Sequence, residues 1–176
     1  MIMPRGQQLL LPVKPAFIWS SLILALALNM LQNMGFWGRA AWQPDWLALV
    51  LLFWTVHQPY RVGMVAAFAL GLVMDVHQGA LLGQHALAYT VLSFLGIGIH
   101  RRLRWFSAPS QAAQVLPIFL AANVLTLIVG WLGNSTLPGW TSLLAPALQA
   151  VLWPAVSSLL LLPQRRPPDP DANRPL

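Results

Sequence analysis

Residues 116–131 read Leu-Pro-Ile-Phe-Leu-Ala-Ala-Asn-Val-Leu-Thr-Leu-Ile-Val-Gly-Trp, with no charged side chain among them. Such a run belongs either to the core of a soluble domain or to a membrane span. The rest of the chain decides between the two. Leu22–Leu28 and Leu47–Val56 are equally unbroken, and 57% of all residues are hydrophobic while 8% are charged. A soluble domain carries about 25% charged residues, so a core of this size would lack the polar shell that keeps it in water. Mean hydropathy is +0.64. In lipid every backbone N–H and C=O must be paired within the protein, which admits only helices and closed barrels. Barrel strands alternate apolar and polar residues over about ten positions, and these runs do not alternate. The sequence predicts an all-α integral membrane protein.

Working outward from that run gives six apolar segments, at Ala16–Met34, Asp45–His57, Val62–Val76, Gln84–His100, Ala112–Gly133 and Trp140–Leu162. A straight span needs roughly 20 residues, so the second and third are short and can also be drawn as one bent hairpin that does not cross. Basic residues bear on the choice. With six alternating spans and the N-terminus inside, Arg5, Lys14, Arg61, Arg101, Arg102, Arg104, Arg165, Arg166 and Arg174 all fall on the inner side, and Arg39 alone falls outside. The positive-inside rule requires this asymmetry. A four-span chain keeps the same parity. Trp42, Trp46 and Tyr60 stand where interfacial aromatics belong and favour six. A net charge of +6 and a pI near 11.5 would suggest nucleic acid in a soluble protein. Here the charge lies in the links and reads as topology, with no nucleic-acid partner expected.

No cysteine is present, which excludes disulfides and thiol chemistry. The first apolar run is long and is followed by no small-residue cleavage site, so a cleaved leader is not expected. The organisation predicted is a cytoplasmic N-terminal segment at 1–15, a transmembrane helical domain at 16–162 and a disordered cytoplasmic tail at 163–176. That tail is rich in Pro, Arg and Asp.

All four acids are Asp. Asp169 and Asp171 belong to the tail. Asp45 follows Pro44 at the start of the second segment, where a carboxylate caps free N–H groups and suits the positive end of the helix dipole. Asp75 is the informative one. At about 1.5 Å per residue it lies roughly 20 Å along the third segment, and an acid at the membrane centre costs about 2.5 to 3.5 kcal/mol. It therefore needs a partner. Gly79 and Gly83 can turn the chain, and the free N–H groups near Gly83, Gln84 and His85 are candidates, as are His77, His85 or an Arg elsewhere.

Gly63, Ala67, Gly71 and Asp75 recur every fourth residue, and Gly79 and Gly83 continue the spacing into the turn. On a helix this is one narrow stripe of small side chains that ends in the acid. Small residues let a second helix approach closely. The stripe is expected either to pack the bundle internally or to dock another membrane protein. Ser21, Ala25, Asn29 and Asn33 form a similar stripe on the first helix, placed to hydrogen-bond across to it. Pro117, Pro146 and Pro154 are expected to kink the last two helices. Asn123, Thr126, Gln149, Ser157 and Ser158 are expected to line a cavity or to bond neighbouring helices.

No catalytic or metal-binding constellation stands out. His77 and His85 are eight apart, there is no Glu, and neither HExxH, GxSxG nor a phosphate-binding Gly-Lys-Ser/Thr loop occurs. Ion pumping normally needs several ionisable groups in the membrane. No enzyme activity, cofactor or metal is expected, and contact with other membrane proteins is.

The run Gly71-Leu72-Val73-Met74-Asp75-Val76-His77-Gln78-Gly79-Ala80-Leu81-Leu82-Gly83-Gln84-His85-Ala86-Leu87 resembles the signature of the rod shape-determining protein MreD family. The signature elements are Gly-Leu, the Asp three residues on, a Gly four later, then Leu-Gly and Ala-Leu. Pro44-Asp45, Arg61-Val62-Gly63 with Phe68, the basic loop Arg101 to Arg104, and Gln114 add to it, and the likeness covers about residues 16 to 160. The resemblance implies a non-enzymatic member of the cell-elongation machinery in the bacterial inner (cytoplasmic) membrane, with both termini cytoplasmic. Its role would be to maintain rod shape by supporting lateral peptidoglycan synthesis. The implied partners are an MreC-like membrane protein, the actin-like MreB, the wall-synthesis glycosyltransferase and transpeptidase, and membrane lipids. It also implies a six-helix bundle like the substrate-binding component of energy-coupling-factor vitamin transporters. The alternative function is therefore a vitamin-like small-molecule binder, with a pocket at the outer end near His77, His85, Trp131 and Trp140.

Overall fold

The computed structural model describes residues 13–34, 42–103, 105–134 and 139–164. Arg5, Arg39, Arg104 and the tail from Arg165 onward, with Asp169, Asp171 and Arg174, lie outside the described residues. Among those described the chain is helical throughout, with α1 Pro15–Asn33, α2 Trp46–His57, α3 Met64–Gln78, α4 Gln84–Leu103, α5 Ala108–Asn134 and α6 Leu144–Leu161. Short 3₁₀ turns at Trp140–Leu143 and Leu162–Gln164 flank α6. Three stretches, Pro15–Asn33, Pro109–Gly133 and Thr141–Gln164, are long and apolar enough to cross a membrane, and α2 and α3 are shorter apolar helices.

The core is built around α2. Every residue from Leu47 to Val56 is buried, so this helix is apolar on all sides because it meets protein on all sides. It packs against α1, α4 and α6. Phe17 of α1 meets Trp54 edge-on at 5.8 Å, and Trp153 of α6 lies 6.5 Å from Phe53. The exterior is apolar as well. Ile23, Leu24, Val65, Val76, Phe94 and Val151 are all exposed. Trp42 and Tyr60 are exposed, whereas Trp46 is half-buried and donates its Nε1–H to Gln32 Oε1 at 3.1 Å.

Several boundaries move. Helix α4 runs on through Arg101 and Arg102, whose charges suit the negative end of a helix. Pro117 and Pro154 lie inside α5 and α6. Pro146 does not interrupt α6. It sits in the first turn, where no intrahelical partner exists for the N–H that proline lacks. The polar stripe of α1 also faces elsewhere than expected. Ser21 Oγ accepts from Trp54 Nε1 at 2.7 Å, and Asn29 bonds to Asp45 and to the Trp46 N–H. Its target is α2 and not the α3 stripe, because α1 packs mainly on α2.

Candidate functional site

Helix α3 ends at Gly79, which takes the left-handed conformation (φ +61°) that glycine adopts without strain. The Gly79 N–H donates to Val76 O, and the Ala80 N–H reaches back to Asp75 O at 3.0 Å, the paired bonds of a Schellman stop. The chain turns again at Gly83 (φ +104°) and enters α4 at Gln84. This reversal lays the first turn of α4 over the last turn of α3. Asp75, fully buried, then meets the free N–H groups of α4. Its Oδ2 accepts from Gly83 N at 2.9 Å and Ala86 N at 3.3 Å, and its Oδ1 accepts from His85 N at 2.7 Å. His85 Nδ1 lies 2.8 Å from Oδ1. A carboxylate has no proton to offer, so Nδ1 is the donor. Asp75 thus caps a helix from the helix before it. The donor set comes from Gly83, His85 and Ala86, not from His77 or an Arg.

One turn earlier on α3, the stripe makes the approach possible. A Cβ on Gly71 would lie 2.4 Å from Ala86 Cα, so the two backbones are in direct contact there. Ala67 and Gly71 are buried and Gly63 is the N-cap of α3, while Gly79 and Gly83 have open space where a Cβ would stand. The middle of the stripe is filled by α4 of the same chain. A partner's helix would have to displace α4 to reach it.

A second cap sits at the same end of the bundle. Asp45 is the N-cap of α2, and its Oδ1 accepts from Ala48 N at 2.9 Å. The same oxygen accepts from Asn29 Nδ2 at 2.6 Å, and Oδ2 accepts the Tyr89 hydroxyl at 2.6 Å. Asn29 Oδ1 takes the Trp46 N–H at 3.0 Å. One carboxylate therefore ties α1, α2 and α4 together. Tyr89 had no signal in the sequence, since it lies 44 positions from Asp45. Tyr89→Phe is expected to cost about 1.5 kcal/mol, the worth of a hydrogen bond to a charged group. Thermal unfolding in detergent should read this as a drop of about 4 °C.

Between these two caps lies a cavity of about 350 Å³ to which all six helices contribute. His85, Tyr89 and Asp45 are in its wall, with Asn123, Thr126, Ser142 and Gln149 from the α5–α6 side and Gln32 and Gln78 from α1 and α3. Of the four residues expected around an outer pocket, His85 lines it, His77 and Trp131 do not, and the Trp140 side chain lies outside the described residues. Of the polar residues flagged on the last two helices, Asn123, Thr126 and Gln149 line it, and Ser157 and Ser158 do not. Among the described residues no group of three or more His or Asp side chains is placed to hold a metal ion.

A family model described as rod shape-determining protein MreD matches residues 13–162. The rod shape-determining protein MreD of Haemophilus influenzae is 26% identical over 144 residues, covering 81% of this chain and 89% of its own length. No solved structure matches. A match that spans every described helix, with the Gly71–Leu87 turn inside it, shows that the chain belongs to the MreD family of rod shape-determining proteins.

Proposed function

We propose that this protein is a non-enzymatic scaffold of the cell-elongation machinery, supporting lateral peptidoglycan synthesis through contacts inside the inner membrane. An MreC-like membrane protein is the direct partner. MreB and the wall-synthesis glycosyltransferase and transpeptidase are engaged directly or through it. The chain crosses the membrane six times with both ends in the cytoplasm. Arg61 supports this orientation, since its guanidinium donates to Val13 O at 3.3 Å and so brings the α2–α3 turn beside the start of α1.

The observation that carries the reading is the state of the two membrane acids. Each accepts several hydrogen bonds that hold its own helices together. A side chain locked in this way is a poor acid, base or ion carrier, and what remains is shape. With the centre of the small-residue stripe occupied by α4, the partner's face is the outward side of α3 and the turn after it. Val65, Phe68, Val73, Val76, Leu81 and Leu82 are exposed there.

Pull-down from native membranes tests this. Val73→Trp is expected to lose the MreC-like partner, while Ile23→Trp on the exposed side of α1 keeps it. Undiminished recovery of the partner with Val73→Trp sinks the assignment of the face. Absence of any wall-synthesis protein from the wild-type pull-down sinks the scaffold.

A further inference from the structure

The cavity between the two caps has a chemical bias that neither packing nor the scaffold role requires. Gln149 is only 5% exposed, and its Nε2 donates to Asp45 O at 3.3 Å. Asn123 Nδ2 donates to Ser142 O at 2.8 Å. Both partners are main-chain carbonyls, which accept only, so both amide orientations are fixed. The amide oxygens are left without a donor among the described residues, in groups that line the cavity. The wall also holds the Asp45 carboxylate, and no Lys or Arg is among the lining residues. The N-terminus of α2 offsets the Asp45 carboxylate only in part, at about half a charge.

We propose that this cavity binds a primary ammonium group. Such a group carries three N–H donors for the unpartnered Gln149 and Asn123 amide oxygens and the Asp45 carboxylate in the wall, and a positive charge for that carboxylate. An anion would find no Lys or Arg in the wall. A quaternary ammonium would bring charge but no N–H. Two sources supply the group, a free amine or an aminolipid headgroup reaching in from the membrane surface. This inference is independent of which face the wall-synthesis partner uses.

Thermal unfolding of the purified full-length protein tests it. At constant ionic strength, ethanolamine is expected to raise the midpoint with dose, as a ligand that binds the folded state must, while choline, glycerol and phosphate leave it unchanged. Equal shifts with choline or glycerol overturn the proposal, since charge alone or hydrogen bonding alone would then suffice. A shift with phosphate overturns it as well. In nanodiscs, a rise with phosphatidylethanolamine over phosphatidylglycerol, without a response to free ethanolamine, assigns the group to lipid. A response to free ethanolamine assigns it to a soluble amine, and no response in either format refutes the site.

Asn123→Lys should supply a tethered ammonium. It is expected to unfold no earlier than wild type and to lose the response. Gln149→Met keeps the volume and removes one acceptor, and is expected to weaken the response by about ten-fold. An unchanged dose dependence in Gln149→Met, or in a folded Asn123→Lys, overturns the assignment of these residues to the site.

Discussion

Asp75→Leu is expected to lower the unfolding midpoint in detergent by about 10 °C or more. The substitution removes an acceptor from four donors at once, the N–H groups of Gly83, His85 and Ala86 and the His85 ring. The Ala86 bond is buried and the other three are part-buried. An unsatisfied buried donor costs about 1 to 3 kcal/mol. After some relaxation the sum is about 4 kcal/mol or more, and in a chain of this size each kcal/mol moves the midpoint by about 2 to 4 °C. Asp75→Asn should fall between Leu and wild type, because one amide oxygen can still accept two of the N–H groups. A Leu variant that melts within about 2 °C of wild type would refute the cap as the reason for an acid in the membrane.

Gly71→Ala should be nearly as damaging, although it adds a single methyl group. The new Cβ would stand 2.4 Å from Ala86 Cα, 2.6 Å from Ala86 N and 2.8 Å from His85 C. All three are main-chain atoms, so no side chain can swing aside and the helices must part. Parting them also lifts the N-terminus of α4 off Asp75. Overpacking typically costs about 1 to 3 kcal/mol, and the upper end applies here. Gly71→Leu should give no folded protein at all, read as the monodisperse peak of a fluorescent fusion. It therefore cannot serve to probe partner binding. Gly96 supplies the contrast. A Cβ there would meet Leu52 Cδ1 at 2.8 Å, the far end of a flexible side chain, and Gly96→Ala should cost about 1 kcal/mol. The idea fails if Gly96→Ala proves the more harmful of the two.

These two residues also mark what the sequence could reveal. Asp75, Gly79 and Gly83 lie within one short stretch, and the rule that a membrane acid needs donors put the N–H groups of the next helix among the candidates, beside His77, His85 and an Arg elsewhere. The stripe at Gly63, Ala67 and Gly71 was legible for the same reason, since helical spacing is local. What it packs against was not legible, because small residues admit any helix and nothing in the spacing chooses between α4 and another protein. The Asp45 site was legible only as a cap. Its links to Asn29, Tyr89 and the Gln149 side chain join segments far apart in the chain, and a single sequence holds no register between distant helices. The α1 stripe was read toward α3 on similarity of pattern, whereas the polar groups that complement it, Trp54 Nε1 and Asp45, lie on or just before α2.

The enclosure of α2 has a consequence for how the protein is made. At 12 residues this helix is about 18 Å long, against roughly 30 Å of hydrocarbon. Alone in lipid it would leave unpaired ends below the surface. It cannot be delivered to the bilayer as a finished segment. Its termini become tolerable only when Asn29 and Asp45 close one end and the turn beside Arg61 holds the other. Biogenesis should therefore bring α2 in together with α3 as a hairpin, held near the insertion machinery until α4 emerges and covers both. In a ribosome-bound chain that ends before α4, a cysteine introduced into α2 should react with a water-soluble thiol reagent, and in one that ends after α4 it should not.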